Sequence, residues 1–421
     1  MKLKLFAAVL ALSLLAAAAM AVEFNVKDYG AVGDGKTDNT QAFQKALDDA
    51  GKALYGTVVV DNGNYLFKGH LTMPVGVTLK GTRASVPANN GIRDAGLPLP
   101  TEGGSTLMPT ENRGNEKGEP FILMNTNCTV QGFVFYYPYQ ETEKVPAAYP
   151  WTVAMRGKNP ALLDCELLNS YNGIDASQNE RQLVRNISGQ PLRRGIFTDE
   201  IYDIGRWENI HWNPWYSMKG DLWDFQLTQG EGFILGKSDW HYVLNTFAYG
   251  YAIGYRFIDN GHGTTNGQLM GAAADGCNTS VQVDAASGLG VLITNGQFVA
   301  MFKEDPVMVR IKDSNKGAVM FQNCSFWGPC KNNVVMEGGE LTLQNCNFVN
   351  WNRDNASVEI KGGNAIISSC RFQDAGAPEK MGGTATALIF ADNIIKSGKK
   401  IQRSVVKAKV EEHNNIYGLP K

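Results

Sequence analysis

The chain has 421 residues and a formal net charge of −2, from 39 Lys+Arg against 41 Asp+Glu. So even a balance excludes a basic nucleic-acid surface, and no stretch after the first twenty-one residues is long and apolar enough to span a membrane. The 46 Gly, eight Trp and 10% aromatic content suit a turn-rich β-protein that handles sugars.

Residues 1–21 read as an export signal. MKLK is a positive start, LFAAVLALSLLAAAA an apolar core and Ala19-Met20-Ala21 a cleavage site. The mature chain is expected to begin at Val22, in a secreted or periplasmic setting. Next comes GAVGDGKT (30–37), which matches the phosphate-loop pattern G-x-x-x-x-G-K-T between strand-like FNVKDY and helix-like NTQAFQKALDDAG. The chemistry opposes a nucleotide. Asp34 and Asp38 would repel a polyphosphate, and no alternating strand–helix pattern follows. Instead Asp38 and Gln41 read as an N-cap with its capping-box partner. Ala42, Phe43, Ala46, Leu47 and Ala50 form one apolar stripe at helical spacing. A capping helix is predicted there, with Lys36 facing solvent.

From residue 128 onward one phrase recurs: CTVQGFVF (128–135), PALLDCEL (160–167), LVRNISG (183–189), GRWENIHW (205–212), VLITNGQF (291–298), VMFQNCSF (319–326), LTLQNCNF (341–348) and AIISSCRF (365–372). Apolar residues alternate on both sides of a central Asn, Asp, Gly or Ser, and the parity slips by one at that residue. A slip would turn every side chain to the other face unless the chain bends there, and these residue types tolerate tight bends. Bends are predicted at 132, 164, 186, 209, 295, 323, 345 and 369, with two more near Asn245 and Gly271. Short strand-turn-strand units at a fixed period, without helices between them, predict an all-β parallel β-helix. The seven cysteines (128, 165, 277, 324, 330, 346, 370) then stack inside as small hydrophobes, with disulfides as the alternative. Asn323 and Asn345 are expected to form an internal ladder.

The stretch FNVKDYGAVGDGKTDNTQAFQKAL resembles the N-terminal signature of the rhamnogalacturonase/epimerase-type, pectate-lyase-like β-helix proteins. That resemblance implies a right-handed parallel β-helix of roughly ten or more coils, an activity on polysaccharide, and a capping role for the signature itself. The expected organisation is a signal peptide (1–21), an N-terminal strand and capping helix (22–51), the β-helix (52–375) and a C-terminal cap or tail (376–421). The last includes a Lys-rich run at 396–410.

A second strand set lies upstream of each bend, in NGIDAS, RGIFTD, EGFILG, YAIGYRFID, SVQVD, VMVRIK, NVVMEG and SVEIKG. Alternation faces Asp175, Asp199, Arg256, Gln282, Asp284, Arg310, Lys312, Glu337 and Glu359 outward as one stripe. Asp175 and Asp199 would be neighbours on successive coils, suited to an acid and base whose pKa values diverge. The richest run of Trp and His, residues 207–242, interrupts the period with room for a loop or short helix. Within it Trp207 and Trp212 are expected in the core. Trp215, Trp223, Trp240, His211 and Glu231 are set beside a sugar-binding groove.

Gly261-His262-Gly263 and Arg310-Ile311-Lys312 resemble the GHG and RIK strings of polygalacturonase-type glycoside hydrolases of family 28, and Phe197-Thr198-Asp199 resembles their NTD. That family's paired-aspartate string is missing here. Asp199 and Asp239 are expected to share the acid and base roles, with Asp175 as the alternative and His262 tuning them, and Arg256, Arg310 and Lys312 are expected to clamp a uronate. The leading expectation is a secreted glycoside hydrolase on an acidic polysaccharide, with no cofactor. A lyase on the same fold is the rival, with Lys312, Arg256 or His211 as base and Ca²⁺ held by Asp175 and Asp199. A non-catalytic glycan-binding β-helix is the third reading. No nucleotide and no nucleic acid is expected as a partner.

Overall fold

The computed structural model describes residues 22–85, 87–303, 306–398, 402–404 and 407–418. The export signal and its cleavage site lie outside the described residues, as does part of the Lys-rich run. The described chain winds into a right-handed parallel β-solenoid of about 15 turns, with a 37-stranded sheet running through it. Each full coil contributes to three faces. Sheet 1 holds the strand before the bend, such as Ala318–Gln322 and Glu340–Gln344; sheet 2 the short strand after it, such as Ser325–Phe326 and Asn347–Phe348; sheet 3 the strand farther on, such as Val307–Ile311 and Asn332–Met336.

Every predicted bend is present. Asp164, Asn186, Asn209, Asn245, Asn295, Asn323, Asn345 and Ser369 have φ between 51° and 57°, and Gly132 and Gly271 lie at 83° and 67°. One left-handed residue swings the strand from sheet 1 to sheet 2, and Asn enters that region at little cost. The same geometry corrects the ladder. Asn323 and Asn345 are exposed, and the rungs run along the outside, with Asn209 Nδ2 donating to Asn186 Oδ1 at 2.9 Å and Asn323 Nδ2 to Asn295 Oδ1 at 2.6 Å.

The residues flanking each bend point inward. Phe326, Phe348 and Phe372 stack coil upon coil, with centroids 5.0 and 4.8 Å apart and planes within 10°. All seven cysteines are free and buried, and the Sγ atoms of Cys324, Cys346 and Cys370 donate to the carbonyls two residues before them at 3.3–3.4 Å. Burial pushes the Cys165 and Cys277 thiols up to about 12, so these are hydrophobes rather than nucleophiles.

Helix α1 (Thr40–Lys52) closes the N-terminal end with Phe43, Ala46, Leu47 and Ala50 buried. Its N-cap is Asn39 rather than Asp38, and Asn39 is buried, accepting from the Val32 N–H. Asp38 still serves the helix start, its Oδ1 accepting the Thr40 N–H at 3.0 Å. The GAVGDGKT loop binds itself: Asp34 Oδ1 accepts the Lys36 and Thr37 N–H groups, both at 2.8 Å, the donors a phosphate would need. Lys36 is exposed. Gly33 is there because a Cβ would meet the Gly63 Cα on the next coil at 2.8 Å.

One feature departs from the expected layout. Coils continue beyond residue 375, where a cap was expected. Ala377–Ala391, Ile394–Ile395, Lys409–His413 and Ile416–Tyr417 pair in register with their predecessors. The interruption at 207–242 contains helix α2 (Gly220–Gln229), the short helix it was expected to have room for, and the stretch from Pro87 to Asn89 lies on sheet 2. There Asn89 gives its N–H and Nδ2 to the fully buried Glu166.

Candidate functional site

The corner where sheet 3 turns towards sheet 1 gathers the densest chemistry. Arg194–Thr198 and Glu231–Leu235 are adjacent sheet 3 strands, and each exits into a polar corner at Asp199-Glu200 and Gly236-Lys237-Ser238-Asp239. The next coil adds Asp259 to Asn266. Gly236 makes room, since a Cβ there would lie 2.6 Å from Asp199 Oδ1. Glu200 and Trp240 hold left-handed φ values of 55° and 54°, a cost that tends to mark functional corners.

Asp199 is the hub. Its Oδ1 accepts the Lys237 N–H at 2.7 Å; its Oδ2 meets His262 Nδ1 at 2.8 Å and accepts from Asn260 Nδ2 at 3.1 Å. Burial acts to raise its pKa, but the His262, Lys237 and Asn260 hydrogen bonds outweigh it and hold the carboxyl below the usual range. His262 is raised, first by its bond to Asp199, with Asp199, Glu200 and Asp259 adding Coulombic support. The Asp199 side chain is 3% exposed and that of His262 40%. In the neutral ring that gives Nδ1–H to Asp199, the lone pair is on Nε2, on the open side and 3.8 Å from Glu200 Oε1. Lys237 Nζ meets Asp239 Oδ1 at 2.6 Å and lies over the Tyr202 ring at 5.9 Å. Asn266 ties Asp239 to Trp240, donating to Asp239 Oδ1 at 3.3 Å and accepting the Trp240 N–H at 2.9 Å. Trp240 and Tyr202 are both well exposed.

The remaining sequence-picked residues are dispersed. Asp175 registers with Phe197, two residues short of Asp199. It pairs with Arg156 and Ser177 instead, so neither the Asp175–Asp199 acid pair nor the Ca²⁺ pair expected from it forms. Arg256 is taken by two carboxylates, Glu231 at 2.5 Å and Asp284 at 2.8 Å. Burial works to lower its pKa, but those partners raise it, and the charge is balanced rather than open to a uronate. Arg310 registers with Gln282 and so lies two coils past Arg256, and Lys312 follows just beyond the end of that strand. His211 and Trp215, with rings 5.0 Å apart, sit on sheet 2 beside Phe247, away from the Asp199 corner. Trp223 lies on α2 against Tyr249. Trp207 and Trp212 are fully buried, as is His241, which burial drives down to about 3.

Lys237, Glu200, Asn260 and Tyr202 were missed. They lie in corners, where strand alternation carries no signal, and the close approach of two coils was legible only through the Gly in Leu-Gly-Lys.

Asp199, Glu200 and His262 offer ligand atoms within 4.8 Å of one another. Lys237 N–H already donates to Asp199 Oδ1 and Asn260 Nδ2 to Oδ2.

Residues 23–205 match the sequence family described as rhamnogalacturonase A/epimerase, pectate lyase-like, which bears out the resemblance read from the N-terminal signature. Alginate lyase 7 of Azotobacter vinelandii is 56% identical over 48 residues, only 11% of this chain and 6% of that protein. The pre-mature gene product 12 of bacteriophage phi29 superposes with a TM-score of 0.64 at 14% identity, over 94% of this chain and 56% of that one. The A-module of the Azotobacter vinelandii mannuronan C-5 epimerase AlgE4 gives 0.52 at 13%, over 92% and 99%. At such identities the structural likeness concerns the fold alone.

Proposed function

We propose, taking the match of residues 23–205 to a pectate-lyase-like family as premise, that this chain is an enzyme acting on a uronate-containing polysaccharide. It works by moving the proton at C5 of the sugar, the step shared by elimination and C5 epimerisation. The observation that carries this reading is the Asp199–His262 pair, a buried ionised carboxylate holding a half-exposed imidazole with its free nitrogen outward.

A C–H beside a carboxylate is weakly acidic, and removing its proton requires a base and a cation that stabilises the charge left behind. His262 Nε2 takes the proton, and Asp199 both orients the ring and stabilises the imidazolium. Lys237 Nζ, held by the single carboxylate of Asp239 where Arg256 has two, is the cation within the same corner, while Trp240 and Tyr202 offer ring faces to the apolar C–H side of sugars. In elimination the C5–H electron pair becomes the C4=C5 double bond, the C4–O4 bond breaks, and O4 leaves with a proton from solvent. Return of a proton to the other face of C5 inverts that centre instead. Hydrolysis would require a carboxyl kept protonated opposite an ionised one, whereas the Asp199 carboxyl is held below the usual range with both oxygens engaged. The site therefore favours the lyase arm of the sequence reading over the hydrolytic one.

Incubation with alginate-type, pectic and neutral polysaccharides in D₂O tests this. Ultraviolet absorbance of an unsaturated uronide, or deuterium at C5, is the expected result on one acidic polymer. Chain shortening with neither signal means hydrolysis. No change in any polymer by folded protein means a glycan-binding solenoid.

A further inference from the structure

The inward columns change character at the C-terminal end of the solenoid. Met381 on sheet 3, Phe390 on sheet 1 and Ile395 on sheet 2 are fully buried, and the residues in register with them on the next coil are Arg403, Glu412 and Tyr417. One coil earlier Glu379 takes the inward position held by Val334 and Val358, and it is 0% exposed. These four polar groups, contributed by all three faces, meet across the bore. Arg403 gives Nε to Glu379 Oε1 at 3.1 Å and Nη1 to Glu412 Oε2 at 3.0 Å, and the Tyr417 O–H donates to Glu412 Oε1 at 2.6 Å. Glu379 Oε2 is buried with no partner among the described residues.

We propose that the coil carrying Arg403, Glu412 and Tyr417 is a pH-released lid on the C-terminal end, held shut while Glu379 is protonated. One guanidinium stands between two carboxylates and balances only one of them. When Glu379 is protonated it is a neutral group in an apolar bore, and Arg403 serves Glu412. When it ionises, an unbalanced charge lies beneath the lid with one oxygen lacking a donor. Burial, with a smaller push from Glu412, outweighs Arg403 and raises Glu379 to about 7. A carboxyl raised above its unfolded value stabilises the fold below that value, and the contribution is lost as pH rises through about 7. Among the described residues the groups facing Glu379 are Val358 from the coil before and Arg403, Glu412 and Tyr417 from the coil after. Burial and Glu412 raise Tyr417 as well, so its O–H remains a donor. Lys380, next on the strand, reaches Glu359 at 3.5 Å on the outer side. The lid is placed to open alone, since its strands pair only with Ala377–Ala391 and Ile394–Ile395. Opening bares those strand edges and the side chains of Phe390 and Ile395, a template for edge-to-edge pairing that the closed lid covers.

The test is hydrogen–deuterium exchange of the full chain between about pH 5 and 9, corrected for the intrinsic rate of unprotected peptides and read by mass spectrometry. Protection in peptides from the last coil is expected to fall by up to about tenfold per pH unit above pH 7, the limit for one proton, while Ala356–Ser368 stays unchanged. Glu379→Gln keeps the shape of the neutral acid and should hold the lid protected at every pH. Glu379→Val restores the residue type of Val358 and guards against misfolding of the first variant; its profile should be flat as well. A flat profile in either variant beside a falling one in the unaltered chain supports the lid. Protection independent of pH in the unaltered chain, a fall that persists in both variants, or a fall shared by Ala356–Ser368 overturns the proposal.

Discussion

Sheets 1 and 3 are built from the same coils, share one interior and end in opposite surfaces. Between residues 280 and 390 sheet 3 carries Gln282, Arg310, Val335, Glu359 and Lys380 in register, polar but for the buried Val335, with Lys361 placed between Glu337 and Glu359. Sheet 1 answers with Leu292, Met320, Ile366 and Ile389. The interior cannot tell them apart, since both are lined by Val, Ile, Leu and Phe at near-zero exposure. A parallel solenoid thus fixes its fold with one residue in two and leaves the other free to write a different chemistry on each face. The Asp199 corner stands at the junction of the two.

Substitutions that separate these faces follow, from the largest expected effect to the smallest. His262→Gln removes the proposed base and should lower turnover by about 10²–10⁴-fold with folding intact, read by initial rates alongside circular dichroism. Asp199→Asn should cost less and leave a different signature. His262 is raised by its bond to Asp199; without it the imidazole loses its proton at lower pH, so the acid limb of the rate profile moves to lower pH. The pair's contribution to stability is present below the ordinary His pKa and lost as pH rises through the raised value; on a side chain this exposed it is small. Arg256→Met leaves Glu231 and Asp284 facing one another and should destabilise by about 1–3 kcal/mol in urea titration. Met320→Thr, a change on the opposite face, should stay within about 0.5 kcal/mol. Equal costs for the last two would erase the distinction between a partnered polar face and an unpartnered apolar one.

The coil was legible because period-two alternation interrupted by a one-residue slip is a strong local signal. Asn245 and Gly271 were placed from spacing alone. It faded after residue 375 because Ala-Pro-Glu-Lys-Met-Gly-Gly-Thr-Ala-Thr-Ala presents Ala, Gly and Thr in place of large apolar residues, while hydrogen bonding to the coil before holds the strand regardless. The site was half legible. Asp199 and His262, 63 residues apart, were both picked, and the structure joins them at 2.8 Å. Each shifts the other, the His262 bond lowering Asp199 and the Asp199 bond raising His262. Asp175 was misplaced because alternation gives the face of a side chain without its position along the strand, and two residues are enough to pair it with Arg156. Arg256 was read as open because its two carboxylate partners come from the coils before and after, 25 and 28 residues away in sequence.

The free cysteines bear on how this protein would respond to force. No sulfur bridge joins one coil to another, so neighbours hold by non-covalent contacts: main-chain hydrogen bonds, stacked rings, asparagine rungs and ion pairs. A tether pulling on the C-terminal end would peel the chain like thread from a spool, in steps of roughly 80 Å for a coil of about 23 residues. Each step would expose a fresh edge identical in kind to the last, and refolding could start from any coil that remained.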